Sequence, residues 1–224
     1  MKLISFHNDP KVKDKYVKRL EKHHELDQII QGKTWGPDTQ QGCAVGCCLE
    51  KYDHKAYETE LGLPEWLARL EDTIFEGLPA KDAPKFAVDF LTSIPVGVNL
   101  DRVKWQFCSF ILKENIDRVL KLKIKDDLKK QVVESIQGVL SLTDKAIETG
   151  VWDESAARSA ESAAWSAASA ASAARSAARS AAWSAAWSAE SAAWSAASAA
   201  RSAAYKKYAS HLIELLKNSD AQEK

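Results

Sequence analysis

An all-α protein follows from three observations. The stretch from Ser155 to Tyr205 is built almost entirely of Ser-Ala-Ala units, some followed by one extra residue, and thirteen of them span the 47 residues from Ser155 to Ser202. Their mean length of about 3.6 is the period of an α-helix. Upstream, apolar residues recur at helical spacing between Pro and Gly breaks. The two-residue alternation that marks a half-buried strand is nearly absent. The expected architecture is a helical domain over 1–150, carrying a Cys/Gly loop at 32–48, and an Ala/Ser-rich helix over 151–224, with Gly150 at the junction.

Asp9 caps and Pro10 opens the first helix, whose apolar positions Val12, Tyr16 and Leu20 run toward Ile29 and Ile30 and end at Gly32. A loop follows, with turn signals at Gly36-Pro37 and Gln41-Gly42. Pro64 opens a second helix through Trp66, Leu67, Leu70, Ile74 and Phe75, closed by Gly77 and Pro79. Two more helices begin after Pro84 and Pro95, the later one carrying Val103, Phe107, Phe110, Ile111 and Ile116. A last one in this part spans about Lys125 to Ala146.

In the repeat, Ala is the strongest helix former and no Gly or Pro follows Gly150. At about 100° per residue the serines share one stripe. Trp165, Trp183, Trp187, Trp194, Arg158, Arg201 and Tyr205 lie on the next, and the alanines cover the far side. Two consecutive three-residue steps, at Ser166, Ser169 and Ser172, drag the stripe round before Arg175 and Arg179 restore it. A kink or reversal is expected at 166–175. The alanine face reads most simply as a packing face, against helices of this chain or of a second copy, which makes a homo-oligomer through the repeat an open reading. Trp183, Trp187, Trp194, Arg179 and Arg201 are the candidate anchors for a protein partner. An ice-ordering surface and a single-strand nucleic-acid platform compete with that reading. The first would be roughened by Trp and Arg, and the second is offset by Glu161 and Glu190.

Composition excludes more than it assigns. The 224 residues carry 31 Lys+Arg against 31 Asp+Glu, so nothing draws the chain to nucleic acid or to an acidic membrane. No apolar run of about 18 residues is present, and the run near Met1 is too short for a signal peptide. A cytoplasmic protein with no membrane association is expected. Its four cysteines, Cys43, Cys47, Cys48 and Cys108, are then expected to be reduced thiols. No cofactor motif is read.

The segment that could carry chemistry is Gln40-Gln41-Gly42-Cys43-Ala44-Val45-Gly46-Cys47-Cys48, followed by Tyr52-Asp53-His54. A catalytic thiol works from a helix N-terminus with an imidazole to take its proton. Gly46 would allow a sharp turn into such a helix, with Cys47 as nucleophile and His54 as base. The Gln41-to-Cys47 spacing resembles the placement of the oxyanion Gln ahead of the nucleophile in papain-like peptidases, which implies an oxyanion role for Gln41. Two other readings stay open. Small residues and thiols pack a tight loop under the first helices, or Cys43, Cys47 and His54, with His23 or His24, form a zinc site, although the thiol spacing is not that of paired CxxC knuckles.

Gly42-Cys43-Ala44-Val45-Gly46-Cys47, Tyr57-Glu58-Thr59-Glu60-Leu61-Gly62-Leu63-Pro64, Leu70-Glu71-Asp72-Thr73-Ile74-Phe75-Glu76-Gly77-Leu78 and the Ser-Ala-Ala tail together resemble an uncharacterised group of bacterial and phage-encoded proteins. That resemblance implies no activity. The tail, with Ala146-Ile147-Glu148-Thr149-Gly150 ahead of Ala156-Ala157-Arg158-Ser159-Ala160, is similar to Ala-rich helices of immunity proteins from bacterial polymorphic toxin systems. The favoured expectation is a non-enzymatic helical interaction protein of the immunity or anti-defence type. The alternative is a thiol-dependent enzyme.

Overall fold

The computed structural model describes residues 3–122, 124–154 and 187–219, with side chains of the last helix described from residue 198. The class is all-α. Helices α1 (Pro10–Glu25), α2 (Ala44–Leu49), α3 (Ala56–Leu61), α4 (Glu65–Gly77), α5 (Ala83–Ser93), α6 (Asp101–Leu120), α7 (Asp126–Thr149) and α8 (Trp187–Lys217) are accompanied by one two-stranded sheet, β1 (Trp35–Gly36) and β2 (Gln41–Gly42). Two compact units result. The first takes Met1–Val103 and Ala199–Lys224, the second Lys104–Ser198.

In the first unit α1 starts as its sequence dictates. Asp9 Oδ1 accepts the Lys11 amide at 2.8 Å, and Pro10 occupies the first turn, where no amide donor is needed. Its buried face is Tyr16, Leu20 and His23. The helix stops at Glu25, short of the expected Gly32. Asp27 turns the chain at φ +52°, and Gln28 to Ile30 lie against Gly42: the Gly42 amide donates to Gln28 O at 3.1 Å and the Ile30 amide to Gly42 O at 2.8 Å. The β-branched pair Ile29-Ile30 favours an extended form, and Gly42 supplies the backbone partners that a continued helix would otherwise have provided.

Helix α1 packs on α5 and α2, and α4 packs on the same two helices. The core of this unit holds Leu20, Cys48, Tyr57, Leu67, Phe75 and Phe90, all fully buried. A left-handed turn at Phe6, His7 and Asn8 drops Phe6 into the core. Buried Ser5 pins the turn: its hydroxyl donates to Pro95 O at 2.6 Å and accepts from the Val98 amide at 2.9 Å. Lys13 Nζ donates to Thr92 O and Ile94 O, each at 2.7 Å, satisfying carbonyls at the end of α5.

The C-terminal end of α8 belongs to the same unit. Ala209, Leu212 and Leu216 are buried at helical spacing, Lys206 pairs with Asp82 at 2.8 Å, and the ring of Tyr205 lies over Gly77, where a β-carbon would stand 2.3 Å from it. In the second unit, Ser109 of α6 donates to Asp144 of α7 at 2.8 Å. Trp105 and Trp152 stack with centroids 4.6 Å apart. Gly150 ends α7 in the left-handed conformation, φ +71°, the C′ role for which glycine is suited. The repeat is helical from Trp187 onward; the expected interruption at 166–175 lies outside the described residues.

Candidate functional site

Residues 32–48 hold the small hairpin and the start of α2. The antiparallel pair Trp35↔Gly42 and Gly36↔Gln41 brings the chain back, and the Cys43 amide donates to Lys33 O at 2.7 Å. Cys43 is the N-cap of α2, its sulfur accepting the Gly46 amide at 3.4 Å. Gly42 and Gly46, four residues apart, face the same carbonyl. A β-carbon at either position would stand 2.3 Å and 2.0 Å, respectively, from Thr34 O. Both glycines thus serve a close approach of the backbone ahead of β1 to the first turn of α2.

Cys47 lies one turn inside α2, and its amide is already committed to Cys43 O at 2.9 Å. Its side chain is fully buried, with the thiol donating to Gly42 O at 3.4 Å and Gln28 O at 3.5 Å. Burial pushes this thiol up to about 12, and the Glu50 charge adds to the rise. Gln41 is elsewhere engaged, its Oε1 accepting from Lys33 Nζ at 2.7 Å. His54 follows α2 in a turn and bonds through Nε2 to Asp72 Oδ2 at 3.2 Å. Its ring meets Tyr52 edge-on at 4.9 Å.

Gln41, Cys47 and His54 thus bond to different groups: Lys33, the carbonyls of Gln28 and Gly42, and Asp72. The grouping around His54 is built from α4. Asp72 Oδ2 takes His54 together with the Tyr52 hydroxyl at 3.0 Å, and the thiol beside this carboxylate is that of Cys43. Burial raises the Cys43 thiol, the Gly46 amide partly offsets this, and Asp72 adds to the rise. Next to Asp72, Glu71 is wholly buried. The Tyr57 hydroxyl donates to its Oε2 at 2.7 Å, while Oε1 finds no hydrogen-bond partner among the described residues. Burial pushes the Glu71 carboxyl up to about 8, the Tyr57 hydrogen bond opposing and the Asp72 charge adding. Cys48 is also raised, by burial first and then by Glu71.

Sequence reasoning does not single out Glu71 or Tyr57 as site residues, although a signal exists. Glu71 occupies the same helical stripe as buried Leu67, Ala68, Ile74 and Phe75, an acid in core register. Of the candidate zinc ligands, His23 is buried and bonds through Nδ1 to Gln28 Oε1 at 2.6 Å. No group of three or more His, Cys, Asp or Glu among the described residues is placed to hold a metal ion.

Of the candidate partner anchors, Arg201 is exposed on α8. Trp187 and Trp194 belong to that helix by their backbone, and Trp183 and Arg179 lie outside the described residues. No described helix is long and apolar enough to cross a membrane. No protein-family model, curated protein or solved structure matches the chain.

Proposed function

We propose that the chain is a non-enzymatic helical interaction protein of a phage or bacterium, acting by holding a protein partner in the manner of an immunity or anti-defence inhibitor. The observation that carries this reading is the state of Cys47. A nucleophilic thiol needs an exposed thiolate, a lowered pKa and a base within reach. Cys47 is instead buried, bonded to two backbone carbonyls and raised to about 12. The similarity of the tail to immunity-protein helices supports the class of partner, and the Trp and Arg of the repeat supply anchors of the type that dominate interfaces.

The discriminating experiment is alkylation of the native chain by iodoacetamide at neutral pH, followed by mass-spectrometric readout of each cysteine. Uniformly slow modification of Cys43, Cys47 and Cys48 is expected. One cysteine modified far faster than a free thiol would overturn the reading in favour of a thiol-dependent enzyme.

A further inference from the structure

We propose that a groove beside the C-terminal end of α8 docks an acidic amphipathic peptide segment of a partner protein, an inference that rests on the interaction-protein reading and names the chemistry of the partner. Two cavities of about 450 and 390 Å³ share Lys85, Asp89 and Ile213 and so run together within the first unit. The rim carries Lys13, Lys81, Lys85, Lys206 and Lys217 against two acids, Asp82 and Asp89.

Both acids are already matched, Asp82 by Lys206 at 2.8 Å and Asp89 by Lys85. Lys13, Lys81 and Lys217 are left without a lining carboxylate to offset them. Lys13 sits over the carbonyl end of α5, where its ammonium is held by Thr92 and Ile94. Ile213 and Pro95, both partly exposed, give the groove its accessible apolar surface, over buried Leu78 and Phe86.

Partly exposed Ile213 and Pro95 beside a lysine rim match a helix or extended segment that presents leucine-like anchors on one face and carboxylates beside them. A nucleic-acid strand fits less well. The lining has no Arg for bidentate phosphate contacts, and its one aromatic ring, Phe86, is buried and offers no face for base stacking.

The test uses the full chain and three fluorescein-labelled probes: a Glu/Leu peptide of about four helical turns with Leu at core spacing, the same peptide with Lys for Glu, and an oligothymidylate of similar length. Fluorescence anisotropy is read at low and at physiological salt. The Glu/Leu peptide is expected to bind and the Lys/Leu peptide not to. The Lys81→Glu/Lys217→Glu variant, at two exposed positions, should weaken binding by about tenfold or more. Lys81→Ala/Lys217→Ala should weaken it by a smaller factor, and Lys18→Glu, exposed on α1 away from the groove, should leave it unchanged.

No binding of the Glu/Leu peptide, an equal loss in Lys18→Glu, or tighter binding of oligothymidylate would overturn the proposal. Such a failure with slow thiols leaves the interaction reading standing with its interface elsewhere. A hyper-reactive thiol removes that reading itself.

Discussion

The carbonyl oxygen of Thr34 fills the space that a β-carbon on Gly46 would need, 2.0 Å from its position. A backbone oxygen cannot rotate aside as a side chain can, so α2 and the segment ahead of β1 would have to separate. Gly46→Ala is therefore expected to destabilise by about 1–3 kcal/mol or more through overpacking. Gly138, inside α7, supplies the control, since a β-carbon there would meet nothing within 4 Å. Gly138→Ala should stabilise by about 0.5–1 kcal/mol. Urea midpoints of the two variants, moving in opposite directions, check both.

Glu71 makes stability depend on pH with a definite sign. Its carboxyl is raised from 4.5 to about 8 in the folded chain, so the folded state holds a proton that the unfolded state has lost. That contribution is fully present below about pH 4.5 and is lost as pH rises through about 8. At about 1.4 kcal/mol per pK unit it amounts to a few kcal/mol. Glu71→Gln should flatten this part of the profile and gain on the unaltered chain between those limits, as read by urea unfolding at several pH values. A profile that Glu71→Gln leaves unchanged would contradict the buried-acid assignment. Tyr57→Phe, which removes the hydrogen bond to Glu71 Oε2, should cost about 1–3 kcal/mol.

Cys47 and His54 contact different groups, the carbonyls of Gln28 and Gly42 in one case and Asp72 in the other. Cys47→Ser should lower stability by about 1–3 kcal/mol, and its effect should add to that of His54→Ala within about 0.5 kcal/mol. Cys43→Ser and His54→Ala share Asp72 and are expected to deviate from additivity by more than that. Double-mutant cycles measure both couplings.

On α8, the register of burial predicts which alanines matter. Ala209 is buried beside Leu212 and Leu216, so Ala209→Glu should cost about 1–3 kcal/mol by overpacking. Ala199 is exposed, and Ala199→Glu should stay within about 0.5 kcal/mol of the unaltered chain. Thermal melting of the pair distinguishes them.

The helices are legible in the sequence wherever a local signal is strong. Asp9-Pro10 opens α1 and Pro64-Glu65 opens α4 because caps and proline act within one turn. The end of α1 is not legible, because Ile29 and Ile30 continue a helical pattern and leave it only when Gly42 arrives from elsewhere in the chain to bond them. Gly46 reads from sequence as a hinge for a nucleophile, and what it serves is the nearness of Thr34, a tertiary contact without a sequence signature. The His54 neighbourhood is half legible: the imidazole stands out, but Asp72 lies eighteen residues on, in α4. Glu71 can be found from its register among Leu67, Ala68, Ile74 and Phe75.

The proposal that Cys47 is structural and not a nucleophile is tested most directly by the pH dependence of its alkylation in the native chain. With the thiol raised to about 12, the rate should stay low at neutral pH and climb about tenfold per pH unit without levelling through about pH 9. Urea that opens the fold should accelerate it. A rate that is already fast and reaches its plateau at or below about pH 7 would show an activated thiolate and contradict the account.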